Sequence, residues 1–249
     1  MTPNPIRKVL STMAAHRVRA LLMGGQACVF YGAAEFSRDT DLAILADAEN
    51  WKRLTKALSQ LEASCIAVPP ARLEYLLRGH AVHFRCHHPD AENMRVDVMS
   101  VMRGVDDFPR LWERRTSLAD SDGMIYELIS LPDLVLAKKT QRSRDWPMIT
   151  RLVQEDYMAN RAKAEPAQVR FWLRELRTPE MMIEAVNAHP EMASQMMTVR
   201  PLLALAVQGL PAELECALGE EEKLEREADR VYWKPLKEEL ERLRHHHPK

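Results

Sequence analysis

The residues best suited to chemistry in this chain are three aspartates and a pair of glycines. Asp39-Thr40-Asp41 leads into the apolar run Leu42 to Leu45, which reads as a strand. Residues i and i+2 of a strand project from one face, so Asp39 and Asp41 point the same way, close enough to repel. Two like charges side by side are costly, and a divalent cation is the usual remedy. The third, Asp97, stands in Met94-Arg95-Val96-Asp97-Val98-Met99, with Val96 and Val98 on one face and Asp97 on the other. An aspartate set between valines in a strand is unfavourable unless something satisfies it. If the two strands are neighbours, three carboxylates meet on one face, and two Mg²⁺ ions bridged by such a set make a phosphoryl- or nucleotidyl-transfer site.

Upstream, Leu21-Leu22-Met23 runs into Gly24-Gly25, where a helix begins. Glycines there let the backbone approach a phosphate closely, and the free N–H groups of a helix start favour an anion. Each feature has an ordinary alternative. Asp39-Thr40-Asp41 could be a turn entering a strand, and Gly24-Gly25 a plain turn. Together with Asp97 they make metal binding by Asp39, Asp41 and Asp97 the expectation.

The elements that must position these residues alternate up to about residue 150. Helices are expected over 5–16, 26–32 and, capped by Asp47, 48–61. Strands are expected over 19–23, 40–46 and 65–68, the last closed by Pro69-Pro70. Residues 80–87 and 94–102 alternate and flank His88-Pro89-Asp90, the pattern of an antiparallel hairpin. His83 and Arg85 share a face of it that could look toward Asp97 and contact substrate. A helix over 108–115, a weak strand over 124–129 and a helix pair over 131–139 and 145–154 follow. Beyond Glu165, prolines at 166, 179, 190, 201 and 211 mark successive helix starts. A charged helix over 213–230 should break before Pro235 and resume to Arg244. The expected architecture is α/β (α+β): a small mixed sheet flanked by helices over 1–155, then an all-helical region over 156–249.

Composition sets the outer limits. The chain has 249 residues, 46% hydrophobic and 29% charged, the balance of a globular protein rather than a disordered or disulfide-stapled one. Thirty-five cations against 36 anions give a net charge of -1, without the bulk basic footprint of a nucleic-acid coat protein. Arg supplies 25 of those cations, a bias suited to phosphate. Cys28, Cys65, Cys86 and Cys216 have no paired spacing and read as free thiols. No apolar run approaches the roughly 20 residues of a membrane span, so no membrane partner and a cytoplasmic location are expected.

Gly24-Gly25, thirteen intervening residues, Asp39-x-Asp41 and the later strand residue Asp97 resemble the DNA polymerase beta-like nucleotidyltransferase superfamily. The stretch from Tyr31-Gly32 to Asp41 is most similar to small bacterial nucleotidyltransferases, including the abortive-infection and toxin–antitoxin type. Leu131-Pro132-Asp133-Leu134 through Lys138-Lys139 to Arg142-Ser143-Arg144-Asp145 also resembles a helical segment beside their catalytic core. The resemblance covers roughly residues 18–155.

It implies a Mg²⁺-dependent enzyme that moves a nucleoside monophosphate from an NTP to a hydroxyl of RNA, protein or a small molecule, releasing pyrophosphate. By that likeness Asp39 and Asp41 bind two Mg²⁺ ions, and Asp97 binds the one at the acceptor hydroxyl and helps deprotonate it. Gly24 and Gly25 hold the triphosphate, in a nucleotide-binding set completed by Ser37, Arg38 and the cations Lys138, Lys139 and Arg142. A toxin of this type would have a partner protein. One departure is Glu35, where many relatives carry a basic residue; Ser37 replaces a usual Thr. An acid near the phosphates weakens nucleotide binding unless it points away or meets Arg38. The competing expectation is a catalytically degenerate member acting as a binding or regulatory partner.

Other features have plainer readings. Adjacent Lys138 and Lys139 ordinarily form a solvated face, and Asp145 a helix cap. His80, His83, Cys86, His87 and His88 do not converge by strand alternation, so they make a poor zinc site. Met181, Met182, Met192, Met196 and Met197, with Phe171 and Trp172, read as core.

Overall fold

The computed structural model describes residues 4–246 and is mixed α/β, a seven-stranded sheet with helices around it. Pro5 lies in the first turn of α1 (Asn4–Ala15), which buries Ile6, Val9 and Met13. There follow β1 (Ala20–Met23), α2 (Gly24–Phe30), β2 (Asp39–Ile44) and α3 (Ala48–Gln60). Asp47 caps α3 as expected, its carboxylate accepting from the Asn50 N–H at 2.6 Å. Buried Asn50 in turn ties the far ends of β1 and β2 together, bonding to Arg19 and to the Leu45 carbonyl.

Next come β3 (Ser64–Cys65), α4 (Leu73–Leu77), β4 (Val82–Arg85), β5 (Arg95–Met99), α5 (Phe108–Glu113), β6 (Thr116–Ala119), β7 (Ile125–Leu128) and α6 (Leu131–Lys138). The sheet order is β3-β4-β5-β2-β1-β7-β6. β4 and β5 form the expected antiparallel hairpin, joined through a short 3₁₀ turn at Pro89–Ala91. β2 runs antiparallel to β1 and parallel to β5, so the two aspartate-bearing strands are neighbours near the middle.

Alternation splits the sheet's two sides. Val82 and Phe84 of β4, Val96 and Val98 of β5, and Leu42 and Ile44 of β2 are buried on one face. The polar residues between them, Asp39, Asp41, Arg95, Asp97, His83 and Arg85, therefore share the other.

Three expectations need correction. The strand over 65–68 shrinks to two residues, because Pro69 and Pro70 have no N–H to pair and the chain turns away after the Ile66 bond to His83. β6 was not expected; it pairs antiparallel with β7 across the Asp120–Gly123 turn, where the Asp120 carboxylate accepts from the Asp122 and Met124 N–H groups. The break before Pro235 does not occur. One helix runs from Pro211 to His246, since a proline deletes only one of the many bonds in so long a run.

The chain divides into two compact units. The first comprises the described residues through Phe30, Ala34–Ala137 and those from Tyr232 on. In it, Glu239 meets Arg78 at 2.5 Å and buried His80 at 2.9 Å. The second comprises Tyr31–Ala33 and Lys138–Val231, whereas the sequence suggested a division at 155. It holds α7 (Asp145–Asn160), α8 (Pro166–Glu175), α9 (Pro179–Ala188), α10 (Pro190–Met196), α11 (Leu203–Val207) and the first part of α12 (Pro211–His246). Trp172 is fully buried edge-on to Tyr157, with its indole N–H bonded to Asp156 at 2.7 Å. Phe171 and Met182 are core as expected, while the other four methionines of that set are only partly covered. Buried Arg200 clasps Glu221 through Nε at 2.9 Å and Nη2 at 2.8 Å, and Arg177 also donates to Glu221 Oε2 at 2.7 Å.

Candidate active site

The site is built where β1 ends. Gly24 follows Met23, which pairs with Asp41 across the antiparallel register. At φ +65° Gly24 turns the strand directly into α2, a conformation L side chains rarely adopt. A Cβ placed there would lie 1.9 Å from Asp41 Oδ2, so Asp41 packs against bare backbone. A Cβ on Gly25 would lie 2.7 Å from Ser37 Oγ, and that hydroxyl donates to the Asp39 carbonyl at 3.2 Å. The glycine pair, Ser37, Asp39 and Asp41 thus lie in one cluster. Glu35 and Arg38 are exposed on the loop before β2.

The parallel register of β2 and β5 sets Asp41 opposite Asp97 and Asp39 opposite Arg95. On the far side, β4 sets His83 opposite Asp97 and Arg85 opposite Arg95. The three aspartates therefore share a face, with His83 and Arg85 beside them.

Arg95 was not anticipated as part of this face. Its Nε donates to Asp97 Oδ1 at 2.8 Å, and its Nη2 lies 3.1 Å from His83 Nδ1. His83 Nδ1 is also 2.8 Å from Asp97 Oδ1. That one nitrogen can donate to Asp97 when it carries a proton or accept from Arg95 when it does not. The guanidinium is held more firmly charged than an ordinary arginine, first by the Asp97 hydrogen bond and also by the fields of Asp97, Asp39 and Asp41. Burial pushes the Asp97 carboxyl up, but the hydrogen bonds from His83 and Arg95 outweigh it and leave the group below the usual carboxylate range. Asp97 thus already has a cationic neighbour in Arg95. The spacing of the aspartates alone suggested that they had none.

Whether these residues fit a divalent ion can be judged from their chemistry. Three carboxylates on one face offer the hard oxygen donors that Mg²⁺ takes, and the bare Gly24 backbone leaves Asp41 room beside it. Among the described residues, no three His, Cys, Asp or Glu side chains are gathered as ligands. Asp97 Oδ1 is engaged by Arg95 and His83 instead. The donor types suit the ion.

Three further expected residues lie in the second unit, each beside a carboxylate of that unit. Lys138 is 3.7 Å from Asp145, Lys139 is 2.8 Å from buried Glu175, and Arg142 donates to Asp145 at 2.8 Å. Asp145 also accepts from Thr140 at 2.6 Å.

The histidines around the hairpin scatter. Beyond His80 and His83, His87 faces Ser64 at 3.0 Å, and His88 accepts from the Asp90 N–H at 3.1 Å. Cys86 is buried, and burial pushes its thiol up to about 11, so it is a poor nucleophile. Among the described residues, no helix is long and apolar enough to cross a membrane. No protein-family model matches the chain, and neither does any curated protein.

Proposed function

We propose that this protein is a nucleotidyltransferase that moves a nucleoside monophosphate from an NTP to a hydroxyl acceptor. The observation that carries this reading is the in-register pairing of Asp41 with Asp97, with Asp39 on the same face and Gly24 packed against Asp41. Mg²⁺ bound by Asp39, Asp41 and Asp97 would supply charge neutralisation at the transferring phosphate. The backbone of Gly24 and Gly25, free of side chains, would receive the triphosphate, with Ser37 next to it. Asp97, on the same face, would accept the acceptor hydroxyl's proton. The acceptor oxygen forms its bond to the α-phosphorus as the bond to pyrophosphate breaks.

A second reading draws on Arg95 and His83. A face whose third carboxylate is already hydrogen-bonded to two side chains suits a degenerate member that binds a partner without catalysing transfer. Each α-labelled NTP, with Mg²⁺, should be offered total RNA, total protein and a small-molecule extract. Wild type should transfer label, and Asp39→Asn and Asp97→Asn should lose at least about 100-fold. No label in any fraction, with no NTP binding, overturns the enzyme and leaves the partner protein.

A further inference from the structure

Arg95 stands two residues before Asp97 on β5, so the pleat puts both on one face. Its side chain is 39% exposed, while the Asp97 side chain it grips is only 13% exposed. A more exposed cation on a less exposed anion can swing off toward water, and the aspartate cannot follow. The parallel register sets Arg95 opposite Asp39, with the Asp41–Asp97 pair one step along. Arg95 thus shares the face of all three carboxylates and is bonded to one of them, Asp97. His83 stands behind Asp97 on β4 and can take the arginine's Nη2 or bond Asp97 itself, but not both through Nδ1.

We propose that Arg95 is a displaceable counter-cation: it covers the carboxylate face until a divalent ion takes its place, and so sets that face's affinity for metal. The inference rests on the metal-binding reading of this site. A hydrogen bond to a charged group contributes about 1.5–3 kcal/mol, and an ion that must displace one binds roughly 10- to 100-fold more weakly for it. With Arg95 gone, Asp97 loses a counter-charge, and the empty site is less stable while the loaded one is not. A purely structural ion pair gives the opposite pattern, in which its loss loosens the ligands and weakens metal binding.

Mn²⁺ titrations followed by the electron paramagnetic resonance of the free ion, with thermal unfolding in parallel, separate the two. Arg95→Gln is expected to bind Mn²⁺ roughly 10- to 100-fold more tightly than wild type. Its melting temperature should also rise more on adding Mn²⁺. Arg95→Lys keeps a charge, so it should stay near wild type and guards against a change of shape alone. Equal or weaker Mn²⁺ binding by Arg95→Gln, with binding still abolished by Asp39→Asn, overturns the counter-cation and leaves the metal site standing. No Mn²⁺ binding by wild type or Arg95→Gln overturns the metal site as well.

Discussion

Gly24 shows how a single residue can be required twice. Its positive φ makes the strand-to-helix turn, and its missing side chain admits the Asp41 carboxylate. Gly24→Ala should therefore lose about 2 kcal/mol or more of unfolding free energy, from left-handed strain and the clash together. Gly25→Ala should lose less, because the Ser37 hydroxyl it meets can rotate away. Urea unfolding of both variants checks the order. The glycines and Asp39-Thr40-Asp41 were legible in the sequence, since turn chemistry and a period of two are local properties. Arg95 was legible by the same period, which sets it on the face of Asp97 as surely as it aligns Asp39 with Asp41. That Asp41 lies opposite Asp97, and not a residue to either side, depends on strand register, which no local pattern states.

Among the elements, long periodic helices and the β4–β5 hairpin could be read directly, and the misses have physical causes. β6 has weak alternation, and its signal was the Asp122-Gly123 turn that joins it to β7. α12 continues through Pro235, where the sequence predicts a break, because a helix this long absorbs one missing bond. Pro235 still has no N–H for the Val231 carbonyl, so a local defect persists there. Pro235→Ala should restore that bond and raise unfolding stability by about 1–3 kcal/mol, read as a higher midpoint in urea. An unchanged or lower midpoint would mean that the Pro235 ring is itself part of the packing.

At the scale of the whole molecule, the helical unit depends on charges that ordinary core arithmetic would exclude. Burial pushes the Glu221 carboxyl up, but Arg200, then Arg177 and Lys139, outweigh it and leave it below the ordinary glutamate value of 4.5. A group held lower in the folded state stabilises it above the unfolded value and stops doing so as pH falls through the folded one. Glu221→Gln should thus cost about 2–4 kcal/mol at pH 7, because Arg200 is left buried without its counter-charge. That deficit should shrink as the pH falls below 4.5, which denaturant unfolding from pH 7 to pH 3 would reveal.

The order in which the units appear along the chain has a consequence for synthesis. The helical unit is drawn almost wholly from one stretch, Lys138–Val231, whereas the sheet unit takes its closing piece from beyond Tyr232. The bonds of Glu239 to His80 and Arg78 span 159 and 161 positions. On the ribosome the sheet's strands emerge first, yet the helical unit is the first to have every residue it needs. The bonds that tie α12 to His80 and Arg78 can therefore form only after every residue of the helical unit has been made.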